Sequence, residues 1–204
     1  VKDAEAMRRV VGIVQRERGN RPVVVTSACA GVTDMLLSTA RSCGAGDLNG
    51  ALQNVREIRQ RHLKILHDLG LPPERSCQEG LTTLLDELEQ LARGVVLLGE
   101  LTPRMLDAFA SFGERLSSLL LGDAFRAAGW DAAVADSRQF LITDSNFVNA
   151  TPLMPEIDAR VAEHLAPLVQ HHEVVVAQGF IGCTLQGITT TIGTNLTSWL
   201  STTG

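Results

Sequence analysis

A chain of 204 residues can bury one sizeable core and is marginal for two. Hydrophobic residues make up 45% and charged residues 20%, the ordinary balance of a soluble globular domain. The net charge of −5 disfavours a broad phosphate-backbone footprint, so nucleic acid is not an expected partner.

Asp3 to Arg18 reads as a helix, with Ala6, Val10, Ile13 and Val14 at helical spacing and Arg8, Arg9, Arg16 and Arg18 on the wet side. Gly19-Asn20-Arg21-Pro22 stops it. Val23-Val24-Val25 follows as a continuous β-branched run, which suits a strand buried on both faces of a parallel sheet. The run ends in Thr26-Ser27-Ala28-Cys29-Ala30-Gly31. Small side chains there let a ligand approach the backbone, and Gly31 can take a positive φ. Thr33 reads as the cap of a helix beginning at Asp34. A strand, a small-residue loop and a helix N-terminus form the place where open α/β sheets bind anions. A plain tight connection is the alternative. Neither Gly-Lys-Ser/Thr nor G-x-G-x-x-G is present.

From Asp47 the texture changes. Leu48, Leu52, Val55, Ile58, His62, Ile65 and Leu69 stripe one long helix. Gly70-Leu71-Pro72-Pro73 breaks it, and Leu81, Leu84, Leu85, Leu88, Leu91 and Val95 stripe a second. Together, at about 47–98, they read as an antiparallel helical hairpin making an excursion from an α/β body. His62 on that stripe reads as a packed histidine.

Thr102 caps a further helix with Pro103 at its first position. Ser111-Phe112-Gly113-Glu114 is expected to interrupt it, and Gly129 to end it. Short strands are expected at Ala132–Ala135 and Phe140–Ile142, with Phe147-Val148 extended. Pro155 opens a helix to about Gln170. Val174–Ala177 is the second buried strand, followed by Gln178-Gly179-Phe180-Ile181-Gly182. Cys183–Gly187 reads as a turn, and Ile188-Thr189-Thr190-Thr191-Ile192 as a strand running into Gly193. This order predicts an α/β fold: a mostly parallel sheet sandwiched by helices.

The four cysteines are scattered with no C-x-x-C pair, and the histidines offer no H-E-x-x-H, so no protein metal site is expected. Lone cysteines fit a reducing, cytoplasmic setting. No apolar run approaches the ~20 residues of a membrane span. Both ends read as cut from something longer: Val1 leads almost directly into helical sequence, and Ser201-Thr202-Thr203-Gly204 terminates no element.

T-S-A-C-A-G-V-T, S-F-G-E-R, and Q-G-F-I-G followed by T-T-T-I-G resemble, in order and spacing, the motifs of the aspartokinases. These belong to the amino-acid kinase superfamily. The resemblance spans essentially the whole chain and corresponds to part of the family's catalytic domain. It implies a three-layer αβα fold with the helical hairpin as an insertion, commonly dimeric. It also implies phosphoryl transfer from MgATP to the side-chain carboxylate of L-aspartate, the first step towards lysine, threonine and methionine. Thr33 resembles the threonine that binds aspartate, and Glu114 the glutamate that holds its α-ammonium group. Ser27, Ala28 and Gly31 resemble the loop along the phosphates, and Gly179, Gly182 and Gly193 the turns where bare backbone meets substrate. If so, Ser27, Thr33 and Glu114 converge near Gly179 and Phe180, at the carboxyl edge of the sheet.

The chain also departs from the family pattern. The K-F-G-G-T-S segment, whose lysine balances charge on the transferred group, would precede Val1. Where the family reads G-R-G-G-S-D, this chain reads Gly193-Thr194-Asn195-Leu196-Thr197-Ser198. Thr194 stands in place of the arginine that clamps the substrate carboxylate, and Ser198 in place of an aspartate. These departures predict poor catalysis by the chain itself. They keep open a non-catalytic binding or assembly module and, less well matched, a kinase of glutamate or its derivatives.

Overall fold

The Asp3 side chain accepts a 2.8 Å hydrogen bond from the Ala6 amide and opens helix α1, Ala4–Val14. This computed structural model describes residues 1–192. After α1 a 3-10 stretch, Gln15–Asn20, ends at Arg21 in the left-handed region, and strand β1, Val23–Thr26, begins. Helix α2 spans Val32–Gly44, α3 Leu48–Leu69, α4 Gln78–Leu98 and α5 Pro103–Ala127. Strand β2 is Ala132–Ala135 and β3 Ile142–Thr143. Helix α6, Met154–Arg160, passes through a π turn at Val161–Leu165 into α7, Ala166–His171. Strands β4 (Val174–Gln178), β5 (Ile181–Thr184) and β6 (Thr189–Thr191) complete the described chain.

The body is α/β. One sheet has the order β1-β4-β2, parallel throughout. A second has the order β3-β5-β6, with β3 parallel and β6 antiparallel to β5. Strand β4 is central, and its five residues are all buried. Val174 and Val176 point into the core formed with α1–α5, and Val175 and Ala177 into a smaller cluster with Val161, Leu165, Leu168 and Val169. Helices therefore lie on both faces, as the continuous Val run of β4 requires.

The hairpin does not stand off from this body. Its stripes form one core with α1, α2 and α5: Val55, Ile58 and Ile65 of α3 and Leu81, Leu85 and Leu88 of α4 are all buried there. Asp47 caps α3 through the Gly50 amide, and Gly70 ends it at φ 79°. His62 is fully buried; its Nδ1 donates to the Ile58 carbonyl at 2.7 Å, and its Nε2 has no partner. Burial, the largest influence, pushes its pKa below the ordinary value. A histidine with a lowered folded pKa contributes stability that is present above the unfolded value of about 6.5 and lost as pH falls. The urea midpoint of the wild type is accordingly expected to drop between pH 7.5 and 5.5 by more than that of His62→Leu. Equal drops would contradict this.

Several expectations are corrected. Strand β1 is not buried on both faces: Val24 packs into the core, but Val23 is 39% and Val25 56% exposed. β1 is an edge strand of the described sheet, and the hydrophobic cluster under the α6–α7 layer takes in β4 and β2 but no residue of β1. Thr33 is not a cap; Gly31 holds that position, with φ 78°, and Thr33 lies inside the first turn. Ser111–Glu114 does not interrupt α5, which runs unbroken from its Thr102 cap. The second strand begins at Ile142, because Phe140 closes a 3-10 turn at Ser137–Gln139. Phe147 and Val148 form a turn, with Val148 at φ 71°. Cys183 and Thr184 belong to β5, and the turn is confined to the residues after them. Pro167 lacks the N–H that would bond Glu163, and the π turn precedes it. Among the described residues no helix is long and apolar enough to cross a membrane.

Candidate functional site

The carboxyl ends of β1 and β4 lie side by side, as parallel pairing dictates, and the small-residue loop after β1 opens there. Thr26 is buried, whereas Ser27 is exposed. The Ala30 amide donates to the Val1 carbonyl, and the Val32 amide to Cys29, turning the chain into α2 at Gly31. Arg61 of α3 overhangs this turn: its Nη1 lies 3.9 Å from where a Cβ on Gly31 would stand. Its Nη2 donates to the Lys2 carbonyl at 3.3 Å.

Helix α5 supplies the floor. A Cβ on Gly113 would stand 2.7 Å from the Ala28 Cβ, so the glycine lets the helix touch the loop. The next residue, Glu114, is 4% exposed. Its Oε1 accepts from the Ala28 amide at 3.3 Å, and its Oε2 has no partner. Burial raises the Glu114 carboxyl to about 7, against weaker pulls downward from its own amide and that of Ala28. A turn further on, the Ser117 hydroxyl meets that of Thr26 at 3.3 Å, and Ser118 accepts from the Gln178 amide at 2.7 Å.

Strand β4 supplies the wall. Gln178 is clamped three ways: to Ser118, to the Ser137 amide, and through its carbonyl to the Ser137 hydroxyl. Gly179 then donates to the Thr26 carbonyl at 2.8 Å, and a Cβ there would stand 3.2 Å from Val25 Cγ1. Phe180 is held in the left-handed region at φ 65°, a strain that occurs where the surroundings over-determine the backbone.

A cleft of about 500 Å³ lies beside this edge, lined in part by Arg115, Ser118, Asp136 and Gln178. Its Arg115, Asp136 and Gln178 side chains are each engaged, Arg115 with Glu87, Asp136 with Arg138 and Gln178 with Ser118. At the carboxyl edge of the sheet it is Glu114 whose buried Oε2 lacks a partner, so chemistry places the candidate site there.

The model of the Amino acid kinase family matches residues 1–200. This chain belongs to the amino acid kinase family. It is 32% identical over 193 residues to lysine-sensitive aspartokinase 3 of Escherichia coli, covering 95% of this chain and 41% of that protein. It is 33% identical over 193 residues to the aspartokinase of Chlamydia trachomatis, covering 95% and 40%. The chain therefore spans about two fifths of these relatives. The structure of E. coli aspartokinase III with aspartate and ADP superposes with a TM-score of 0.85 at 30% identity, covering 94% of this chain and 41% of that one. The same enzyme with lysine and aspartate gives 0.84 at 31% identity.

Ser27, Ala28, Glu114 and Gly179 gather at one edge, and Gly31 and Thr33 follow at the start of α2. Gly182 does not join them. It sits inside β5, opposite Thr190, where a Cβ would strike the Leu141 carbonyl, so its bareness serves strand packing. Gly193, Thr194 and Ser198 lie outside the described residues. Gly113 and Gln178 stand in the sequence motifs without a role of their own, and Ser117 and Ser118 carry no sequence-based expectation. Ser117 and Ser118 were legible in principle, at helical spacing i+3 and i+4 from Glu114. Among the described residues no group of three or more His, Cys, Asp or Glu side chains could hold a metal ion.

Proposed function

We propose that this protein phosphorylates the side-chain carboxylate of L-aspartate, and that this chain supplies the wall that holds the amino acid. The observation that carries the reading is Glu114: a buried carboxylate with one oxygen unpartnered, at the mouth of the loop after β1. An ammonium group is the occupant that would satisfy that oxygen and hold the carboxyl ionised. Aspartate and ADP are what the E. coli relative was solved with, which supports the same assignment.

MgATP, when bound, would supply the phosphoryl group. The exposed Ser27 hydroxyl and the Thr33 and Asp34 amides of α2 are chemically suited to phosphate oxygens, and the start of α2, which no side chain caps, favours negative charge. Magnesium would be carried largely by the phosphates, since Mg²⁺ needs few protein carboxylates. Glu114 would fix the amino end, and Thr33 would contact the substrate from α2. Positioning and charge neutralisation, rather than proton transfer, would carry the rate in this reaction class.

Calorimetric titration tests the binding. L-Aspartate should bind and succinate, which lacks the amine, should not. Glu114→Ala should weaken aspartate roughly 10- to 100-fold, as loss of a charged hydrogen bond implies. Succinate binding as tightly as aspartate would overturn the assignment. Thr194 and Ser198 favour a second reading, a module that binds aspartate without phosphorylating it. If that holds, ADP release by the 204-residue chain with saturating aspartate is ~10³-fold or more below that of an intact relative. Release within tenfold would exclude it.

A further inference from the structure

Asp107 is buried, at 1% exposed, and stands two helical turns before Glu114 on α5. The interval of seven residues puts both carboxylates on one face of the helix. Unlike Glu114, Asp107 is fully engaged. Its Oδ1 accepts from the Thr191 hydroxyl at 2.5 Å. The Val148 amide donates to both of its oxygens, at 3.0 and 2.9 Å. Thr191 ends β6 and pairs with Ile181 of β5. The next residue, Ile192, donates its amide to the Phe180 carbonyl at 2.8 Å. Phe180 is the left-handed residue of the turn whose Gly179 amide bonds Thr26. An unbroken series of contacts therefore runs from Asp107 through Thr191 and Ile192 to the turn bonded to the end of β1, whose following loop holds Glu114 through the Ala28 amide.

We propose that Asp107, acting through Thr191, is the positioning residue that sets the Gly179–Phe180 turn against Glu114, so that one helix fixes both the ammonium-binding carboxylate and the wall facing it. The ligand part of this inference rests on the reading of Glu114 given above; the positioning part does not. The chemistry favours a carboxylate at 107. Its two oxygens take three donor contacts without a proton of their own, and the ionised acceptor strengthens each of them. The strained backbone of Phe180 and of Val148 needs such tethers, since left-handed non-glycine residues persist only when neighbours hold them.

The test uses the whole 204-residue chain, labelled with ¹⁵N, and three variants. Thr191→Val removes the hydroxyl donor and keeps the shape. Thr191→Ser restores the hydroxyl. Asp107→Asn keeps the volume but loses the charge, and serves as the second probe should Thr191→Val fold poorly. Without ligand, the amide signals of Gly179, Phe180 and Ile181 should move in Thr191→Val and in Asp107→Asn and return to wild-type positions in Thr191→Ser. Aspartate affinity should fall about tenfold in Thr191→Val and recover in Thr191→Ser, the loss expected for one hydrogen bond to a charged group. If both disrupting variants lower the melting temperature but leave those amides in place, Asp107 is structural only and the proposal is overturned. If the wild type binds no aspartate, the reading of Glu114 fails, while the amide signals still decide the positioning.

Discussion

Gly113→Ala is expected to lower stability by about 2 kcal/mol, although it places a better helix former inside a helix. In open helical positions the exchange gains up to about 1 kcal/mol. Here the added methyl would stand 2.7 Å from the Ala28 Cβ and 3.3 Å from Leu36 Cδ1. Normal carbon contacts are about 3.5–4.0 Å, so α5 and the loop after β1 must separate. The separation would also break the Ala28–Glu114 hydrogen bond, so aspartate affinity should fall with stability. Gly94 of α4 is the control, because a Cβ there meets nothing within 4 Å. Gly94→Ala should therefore raise the urea midpoint while Gly113→Ala lowers it. A Gly113→Ala protein as stable as the wild type would mean that helix and loop are not in contact.

Glu114→Gln is expected to stabilise the protein at pH 8 and to weaken its binding of aspartate. The wild-type carboxyl titrates at about 7 in the folded state, raised from 4.5. A group with a raised folded pKa contributes its stability fully below the unfolded value and loses it as pH climbs to the folded one. Between pH 4.5 and about 7 the wild type therefore loses up to about 3 kcal/mol that glutamine, which does not titrate, retains. His62 has the opposite dependence, its share growing as pH rises and complete above about 6.5. It is common to both proteins, so the difference between their urea midpoints at pH 5 and pH 8 isolates Glu114. The advantage of Glu114→Gln should grow from pH 5 to pH 8. A constant difference would place the Glu114 carboxyl in contact with water. A residue that weakens the fold where it strengthens binding is what a ligand site requires, because the ligand's ammonium repays the buried charge.

Much of this molecule was legible before its structure. The stripes of α3 and α4, the cap Thr102, and the doubly buried Val174–Ala177 run are local patterns, set by the 3.6-residue and two-residue periods of the backbone. The three motifs indicated the family for a similar reason: each is contiguous, and their order survives in a single line of letters. What the letters left undecided depends on which element reaches which. Val23-Val24-Val25 is as β-branched as the run in β4, yet two of its three side chains face outward because the cluster under the α6–α7 layer takes in β4 and β2 but no residue of β1. Gly113 reads as a helix break, and only the approach of Ala28 turns it into a contact point inside an unbroken helix. Gly182 reads as a turn, and only its pairing with Thr190 makes it a strand residue. Asp107 and Thr191 are far apart in the chain, and their 2.5 Å contact exists because α5 crosses the end of β6. Helix and strand type follow from interactions between residues a few positions apart, whereas burial, strain and the partner of each buried charge follow from contacts across the whole chain, which no local window contains.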